Sequence, residues 1–206
     1  LRFIEKENRT PKDWANYIRA AVLYLQDQFP NRSLKGMDLA IAGDVPIGAG
    51  LSSSSTLVVT ALEAALAFNQ INLQKTEKAE FCGRAEWYVG TRGGAGDHAA
   101  MLFGKRNSIL HFRFFPIHFE PLPFPDGYQV VACNSFVEHQ STSIFNERVA
   151  TYEIGLQLVK KNFPHYSEKL IHLRDLNSEQ LGSSSSEIYH MLKSIPQRMS
   201  RQEIHE

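Results

Sequence analysis

The 206-residue sequence contains no apolar run approaching the roughly 20 residues that cross a bilayer. Its opening, Leu1-Arg2-Phe3-Ile4-Glu5-Lys6, lacks the pattern of a signal peptide, so no membrane partner is expected. Charge of one sign is not in excess either. Lys and Arg number 22 and Asp and Glu number 22, which excludes the global positive field that nucleic acid or an anionic membrane surface would attract. Phosphate chemistry must therefore come from a local site. Cysteine is scarce: Cys82 and Cys133 stand far apart, without metal-ligand spacing or a disulfide framework. They fit a reducing, cytoplasmic compartment and the packing of small apolar thiols. An initiator methionine is also lacking, and with the charged end at Glu206 the expectation is part of a longer chain.

What is present is a 43% hydrophobic chain, long enough for one large or two modest domains with a buried core. Trp14, Tyr17, Ile18, Ala21, Val22 and Leu25 recur at intervals of three and four, which predicts a helix over 14–28 with Pro11 and Asp13 at its start. Residues 34–45 read as a short strand. A glycine- and serine-rich loop follows, and then an Ala/Leu-rich segment, 56–68, reads as a buried helix beginning within or just after the serine run. A second helix is predicted over 74–88, ending near Gly90, and a short buried one over 99–103. Residues 108–119 are aromatic and strand-like. The cluster Pro121, Pro123, Pro125, Asp126-Gly127 is the strongest breaker, and the domain boundary is placed there. Residues 128–133 read as a strand opening the next domain, and 147–163 as a helix. The late run Ser183 to Ser186 lacks preceding glycines and reads as a helix start or loop.

The loop Pro46-Ile47-Gly48-Ala49-Gly50-Leu51-Ser52-Ser53-Ser54-Ser55 has the means to hold a polyphosphate. Such a ligand needs converging N–H donors and a backbone that comes close, and Gly48 and Gly50 give that freedom. The helix that follows would aim its N-terminal N–H groups at the anion, while the serine hydroxyls add donors and an oxygen for Mg²⁺. No Gly-Lys-Ser/Thr follows, and Ser53 occupies the third glycine position of a dinucleotide loop, so neither common phosphate motif fits. Simple helix capping is the alternative.

Pro46 to Ser54 resembles the second signature motif of GHMP kinases, Pro-x-x-x-Gly-Leu-x-Ser-Ser-Ala, with Ser55 standing where the family usually has Ala. Trp14-Ala15-Asn16-Tyr17 resembles the helix preceding that motif in galactokinases. Ala85-Glu86 and Gly94-Ala95-Gly96-Asp97 resemble the metal-binding Glu and catalytic Asp segments. Asn134-Ser135 with Val137 and His139 resembles the start of the second domain. The resemblance runs from about residue 14 to residue 160 and implies an α+β, two-domain fold incomplete at both ends. Its N-terminal domain would be a ribosomal-protein-like ATP-binding module over 1–125, and a ferredoxin-like C-terminal domain would begin within 126–206.

By this resemblance Asp97 is the catalytic Asp, accepting or orienting the proton of the attacking hydroxyl; its alternative is an N-cap for 99–103. Glu86 with Ser54, and Ser53 as neighbour, would hold Mg²⁺, against a solvated helix face. The usual galactokinase spacing between the two acids is one residue longer, a gap that could fall in Trp87 to Val89. Arg92 reads as surface or structural. His98, in place of the family's usual Gln, and His139 read as hydrogen-bonded structural histidines. Pro46 to Ser55 would bind ATP. Gly94 and Asp97 would meet the sugar together with Phe145, which stands where galactokinases have a tyrosine, so that one hydrogen bond worth about 0.5–1.5 kcal/mol would be missing. The familiar Cys-Gly-Ile-Met-Asp turn is here Gly93-Gly94-Ala95-Gly96-Asp97. The family's first motif, of Gly-Arg-Val-Asn-Leu-Ile-Gly-Glu-His type, and its glycine-rich third motif are both absent from the 206 residues. The resemblance thus implies an ATP- and Mg²⁺-dependent kinase of a small sugar of open identity. The alternatives are a kinase of a non-sugar alcohol and a non-catalytic sensor of ATP and sugar.

Overall fold

A computed structural model of the chain describes residues 13–114, 117–133, 135–136, 142–200 and 202. The chain forms two compact units, one through Thr142 and one from Ser143. That division lies downstream of the boundary expected at 125/126.

In the first unit, α1 (Ala15–Gln28), α2 (Ser53–Phe68) and α3 (Lys75–Ala85) pack around a common core. Asp13 starts α1, its carboxylate accepting from the Ala15 N–H at 2.9 Å and from Arg19 at 2.9 Å. The Ala15 N–H holds the Asp13 carboxyl below its ordinary range, with the Arg19 guanidinium helping against the opposing effect of burial. Ala21 and Leu25 of α1 meet Val58, Leu62 and Leu66 of α2 and Cys82 and Ala85 of α3. Each of the three fully buried leucines stabilises the fold by about 1.5–3 kcal/mol. Gly83, inside α3, lets the backbone of Gly94 and Ala95 come close: a Cβ there would stand 3.3 Å from three of their backbone atoms.

α3 runs directly into a 3-10 turn over Glu86–Val89, which ends at Gly90 with φ 91°, the left-handed conformation that suits glycine. The Tyr88 hydroxyl donates to Asp27 at 2.6 Å and ties this turn to the end of α1. Next comes α4 (Gly96–Phe103), longer at its start than the expected 99–103. β1 (Ser108–Phe114) and β2 (Ile117–Pro123) form an antiparallel hairpin with Phe112 opposite Phe119 and Ser108 opposite Pro123. Phe119 stacks on Phe103 of α4 with centroids 4.0 Å apart. Pro121 and Pro123, read as breakers, lie within β2, which a two-stranded ribbon with an open edge permits.

Two predicted strands do not form. Residues 34–45 and 128–133 are assigned no strand, and Leu39, Ile41, Tyr128, Val130 and Val131 are exposed. An apolar alternating segment becomes a strand only beside a neighbour offering N–H and C=O groups, and among the described residues neither segment has one.

The second unit comprises α5 (Thr142–Asn162), 3-10 turns at Pro164–Tyr166 and Leu173–Asp175, α6 (Ser178–Leu181) and α7 (Ser185–Lys193). Leu156, Val159, Leu170, Leu176, Leu181 and Met191 form its core. Its described residues contain no strand. The late serine run is a helix start: Ser184 caps α7, accepting from the Glu187 N–H, while the Glu187 side chain accepts from the Ser184 N–H at 2.9 Å. No helix among the described residues is long and apolar enough to cross a membrane.

Candidate active site

The glycine-serine loop adopts a backbone that serine alone would resist. Gly48, Gly50 and Ser52 have φ of 74°, 72° and 57°, whereas Ala49 and Leu51 between them are not left-handed. Alternation of this kind turns successive N–H groups toward one side, the geometry of an anion-binding nest. Ser52, a non-glycine in the left-handed region, carries strain of about 1–2 kcal/mol. It is also the N-cap of α2, yet no side chain caps this helix and no acid sits in its first turn. The Thr56 N–H bonds to the Ser52 carbonyl, which leaves the N–H groups of Ser53, Ser54 and Ser55 ahead of the first intrahelical bond. Helix capping by these serines, the alternative reading, is therefore not what the structure shows.

The expected phosphate residues divide by position. Pro46, Gly48, Ala49, Gly50 and Leu51 are exposed, Ser52, Ser53 and Ser54 are half-buried, and Ser55 is buried. Gly48, Ser53 and Ser54 line one end of a cavity of about 940 Å³ whose walls also include Trp14, Tyr17 and Ile41. The Ser55 hydroxyl turns away and donates to Glu86 Oε1 at 2.8 Å, leaving only its N–H to face the loop.

Glu86 is 5% exposed, so the solvated-face reading does not hold. Besides Ser55, it meets His98, which is 1% exposed and whose Nε2 lies 3.3 Å from the same Oε1 without hydrogen-bond geometry. The first turns of α2 and α4 thus converge on one carboxylate. Ser54 and Asp97 are each one residue, about 3.8 Å along the chain, from the residues that do so. Glu86 Oε2 receives no hydrogen bond from a described residue and looks toward Gly93, 3.9 Å from where a Cβ would stand.

Asp97 is exposed and is the second residue of α4, with Ala95 as N-cap and no side-chain capping bond. The N-cap alternative for Asp97 is thereby excluded. Its carboxylate makes no hydrogen bond or ion pair with a described residue. The turn before it is packed on both sides. Gly83 lies against Gly94 and Ala95, and a Cβ on Gly96 would stand 3.4 Å from Phe114 and 3.8 Å from Phe112. None of Gly93, Gly94 and Gly96 is left-handed, and only at Gly96 would a Cβ come as close as 3.4 Å to a neighbour. The Trp87 indole donates to the Gly93 carbonyl at 3.1 Å, with the guanidinium groups of Arg84 and Arg92 at 4.5 and 5.8 Å from its ring. Arg92 is held by that ring, in keeping with a structural role. Phe145 is on α5 in the second unit, 46% exposed. His139, Asn134 and Val137 lie outside the described residues. The inward pairing of Ser55 and His98 on Glu86 is what sequence reasoning missed.

Burial, followed by the charges of Glu86 and Glu63, pushes the Cys82 thiol well above its ordinary range. Both cysteines are free, with Cys82 buried and Cys133 exposed.

A buried, pinned acid, Glu86, thus meets the first turn of an uncapped helix, and a second, exposed acid, Asp97, stands in the first turn of α4. Residues 16–105 match the family model of the GHMP kinases N terminal domain. The chain carries this domain over those residues and is similar to galactokinases over most of its length. It is 31% identical over 187 residues to the galactokinase of Roseiflexus sp. (strain RS-1), covering 90% of this chain and 46% of that protein. It is 34% identical over 174 residues to the galactokinase of Chloroflexus aggregans, covering 84% and 43%. With that of Schizosaccharomyces pombe it shares 30% over 177 residues, covering 76% and 34%. The chain thus spans less than half the length of these curated relatives.

Proposed function

We propose that the protein is an ATP- and Mg²⁺-dependent sugar kinase that transfers the γ-phosphoryl group of ATP to a hydroxyl of a monosaccharide. The observation that carries this reading is the left-handed alternation at Gly48, Gly50 and Ser52 running into the uncapped start of α2, with the Glu86 and Asp97 segments packed beside it. The N–H groups of this loop would cradle the phosphates, and the cavity leading from Ser53 and Ser54 to Trp14 and Tyr17 offers aromatic walls suited to a nucleobase.

Asp97 would take the proton of the sugar hydroxyl as its oxygen forms a bond to the γ-phosphorus and the bond to the β-phosphate oxygen breaks, releasing ADP. General-base assistance of this kind contributes about 10²–10⁴-fold. Bound Mg²⁺ would supply charge neutralisation across the phosphates. The residues fit it: Glu86 has one unengaged oxygen, and the Ser54 hydroxyl has no hydrogen bond to a described residue. No cluster of three or more acids, His or Cys exists among the described residues, as suits a cation shared with ATP rather than caged by protein. Gly94 and Asp97 would meet the sugar.

In the finer reading, residues 1–125 belong to a ribosomal-protein-like ATP-binding domain and 126–206 begin a ferredoxin-like one. Two free thiols support a cytoplasmic setting. The test is ADP release by the full-length protein with Mg·ATP and a panel of monosaccharides and simple alcohols. Turnover with one sugar is expected, and turnover only with a non-sugar alcohol, or with no acceptor, would contradict the reading.

A further inference from the structure

Two of the residues at which the chain departs from the family pattern, Ser55 in place of Ala and His98 in place of Gln, meet at one carboxylate oxygen. We propose that Ser55 and His98 are positioning residues for Glu86: they fix Oε1 in the interior so that Oε2 is presented to the cation that accompanies ATP. The inference rests on the metal role proposed for Glu86. Ser55 is 2% exposed, His98 1% and Glu86 5%, so the three groups meet out of contact with bulk water. There the Ser55 hydroxyl bond at 2.8 Å has few competitors. Neither ring nitrogen of His98 has a hydrogen-bond partner among the described residues, and the polar atom nearest Nε2 that the structure records is Glu86 Oε1 at 3.3 Å.

The geometric consequence concerns rotation of the carboxylate. A glutamate turns broadly about its last torsion and can offer two oxygens to a cation. Held through Oε1 by the Ser55 hydroxyl, with the His98 ring packed against the same oxygen, Glu86 can offer only one. A single carboxylate oxygen with phosphate and water is how a small octahedral cation such as Mg²⁺ or Mn²⁺ is ordinarily bound. Partners that orient a metal-binding side chain typically contribute about 10–100-fold to metal affinity.

The test uses the full-length protein and calorimetric titration of a non-hydrolysable ATP analogue, once with Mn²⁺ and once without metal. The quantity read is the gain in affinity that Mn²⁺ confers. Ser55→Ala and His98→Leu are expected to cut that gain about tenfold, while His98→Gln, which keeps an N–H donor, retains most of it. Ser55→Ala added to Glu86→Gln should cost nothing further, a non-additivity that a merely structural serine would not produce. If Glu86→Gln loses the gain but Ser55→Ala and His98→Leu keep it, the positioning role is overturned and the metal role stands. A gain that survives Glu86→Gln overturns both. Ser55→Ala, a small-for-small change on a helix, decides the matter alone should His98→Leu not fold.

Discussion

Alanine at Gly83 sets two effects of similar size against each other. Within a helix, Gly→Ala ordinarily stabilises by about 0.5–1 kcal/mol, because glycine loses more backbone freedom on folding. At Gly83 the new methyl would stand 3.3 Å from Ala95 Cα, Ala95 N and Gly94 C, all backbone atoms that cannot rotate away. The turn would have to retreat by a few tenths of an ångström, and its far side is blocked where Gly96 rests on Phe114 and Phe112. Overpacking of this kind costs about 1–3 kcal/mol, so the net is a loss of about 1 kcal/mol. Gly155 in α5 supplies the control. A methyl there meets Ile195 and Leu173 side chains at 3.7 and 3.8 Å, ordinary contact, so Gly155→Ala should stabilise by about 0.5–1 kcal/mol. Urea unfolding checks both: Trp14 and Trp87 fluorescence reports the first unit, and far-ultraviolet dichroism, to which the helices of both units contribute, reports the second as the part of the change that the tryptophans do not follow. Since a 1 Å misplacement of a reacting group costs about 100-fold, a few tenths should lower kcat/KM about threefold in Gly83→Ala. Stabilisation of Gly83→Ala to the same degree as Gly155→Ala would refute the packing argument.

Three further predictions concern single side chains. Ser52→Gly should raise stability by about 0.5 kcal/mol, relief of the left-handed strain outweighing glycine's entropy, and should preserve ATP binding if the backbone forms the cradle; weakened ATP binding in a nucleotide titration would show that the hydroxyl is needed. Cys82, whose thiolate is suppressed by burial and by neighbouring acids, should resist iodoacetamide at pH 8 in the folded protein and react after unfolding, as read by mass spectrometry of its peptide. The Ser184 N–H and hydroxyl hold the Glu187 carboxyl below its ordinary range. The folded value lies below the unfolded one, so its stabilisation is complete above the ordinary carboxylate range and is lost as pH falls through the folded value. Melting of wild type and Glu187→Gln should therefore differ at pH 7 and converge in acid, and a constant difference would exclude the linkage.

The helices were legible because their signals are local. The three- and four-residue spacing from Tyr17 to Leu25 and the glycine-free Ala/Leu run of α2 carry their own periodicity, and the loop before α2 announces itself by Gly48 and Gly50. Strand reading failed at 34–45 and 128–133 because a strand is a relation between two segments, and apolar alternation says nothing of whether a neighbour is at hand. β2 runs through Pro121 and Pro123 because the hairpin leaves one edge free of ladder bonds, which no single-residue propensity reveals. At the site, Glu86 and Asp97 were found through motif order. The pairing of Ser55 with Glu86, 31 residues apart, becomes visible only once α2, α3 and α4 are packed. The signal in the sequence was that Ser55 and His98 are both among the departures from the family pattern.

The measurement that bears most directly on the central claim compares wild type with Asp97→Ala in full-length protein, reading sugar-dependent kcat and the Kd for Mg·ATP together. Asp97 is exposed and makes no hydrogen bond or ion pair with a described residue that would tie it to the fold. The account predicts that Mg·ATP binding is kept while kcat falls by about 10²–10⁴-fold. Undiminished turnover by Asp97→Ala would contradict it.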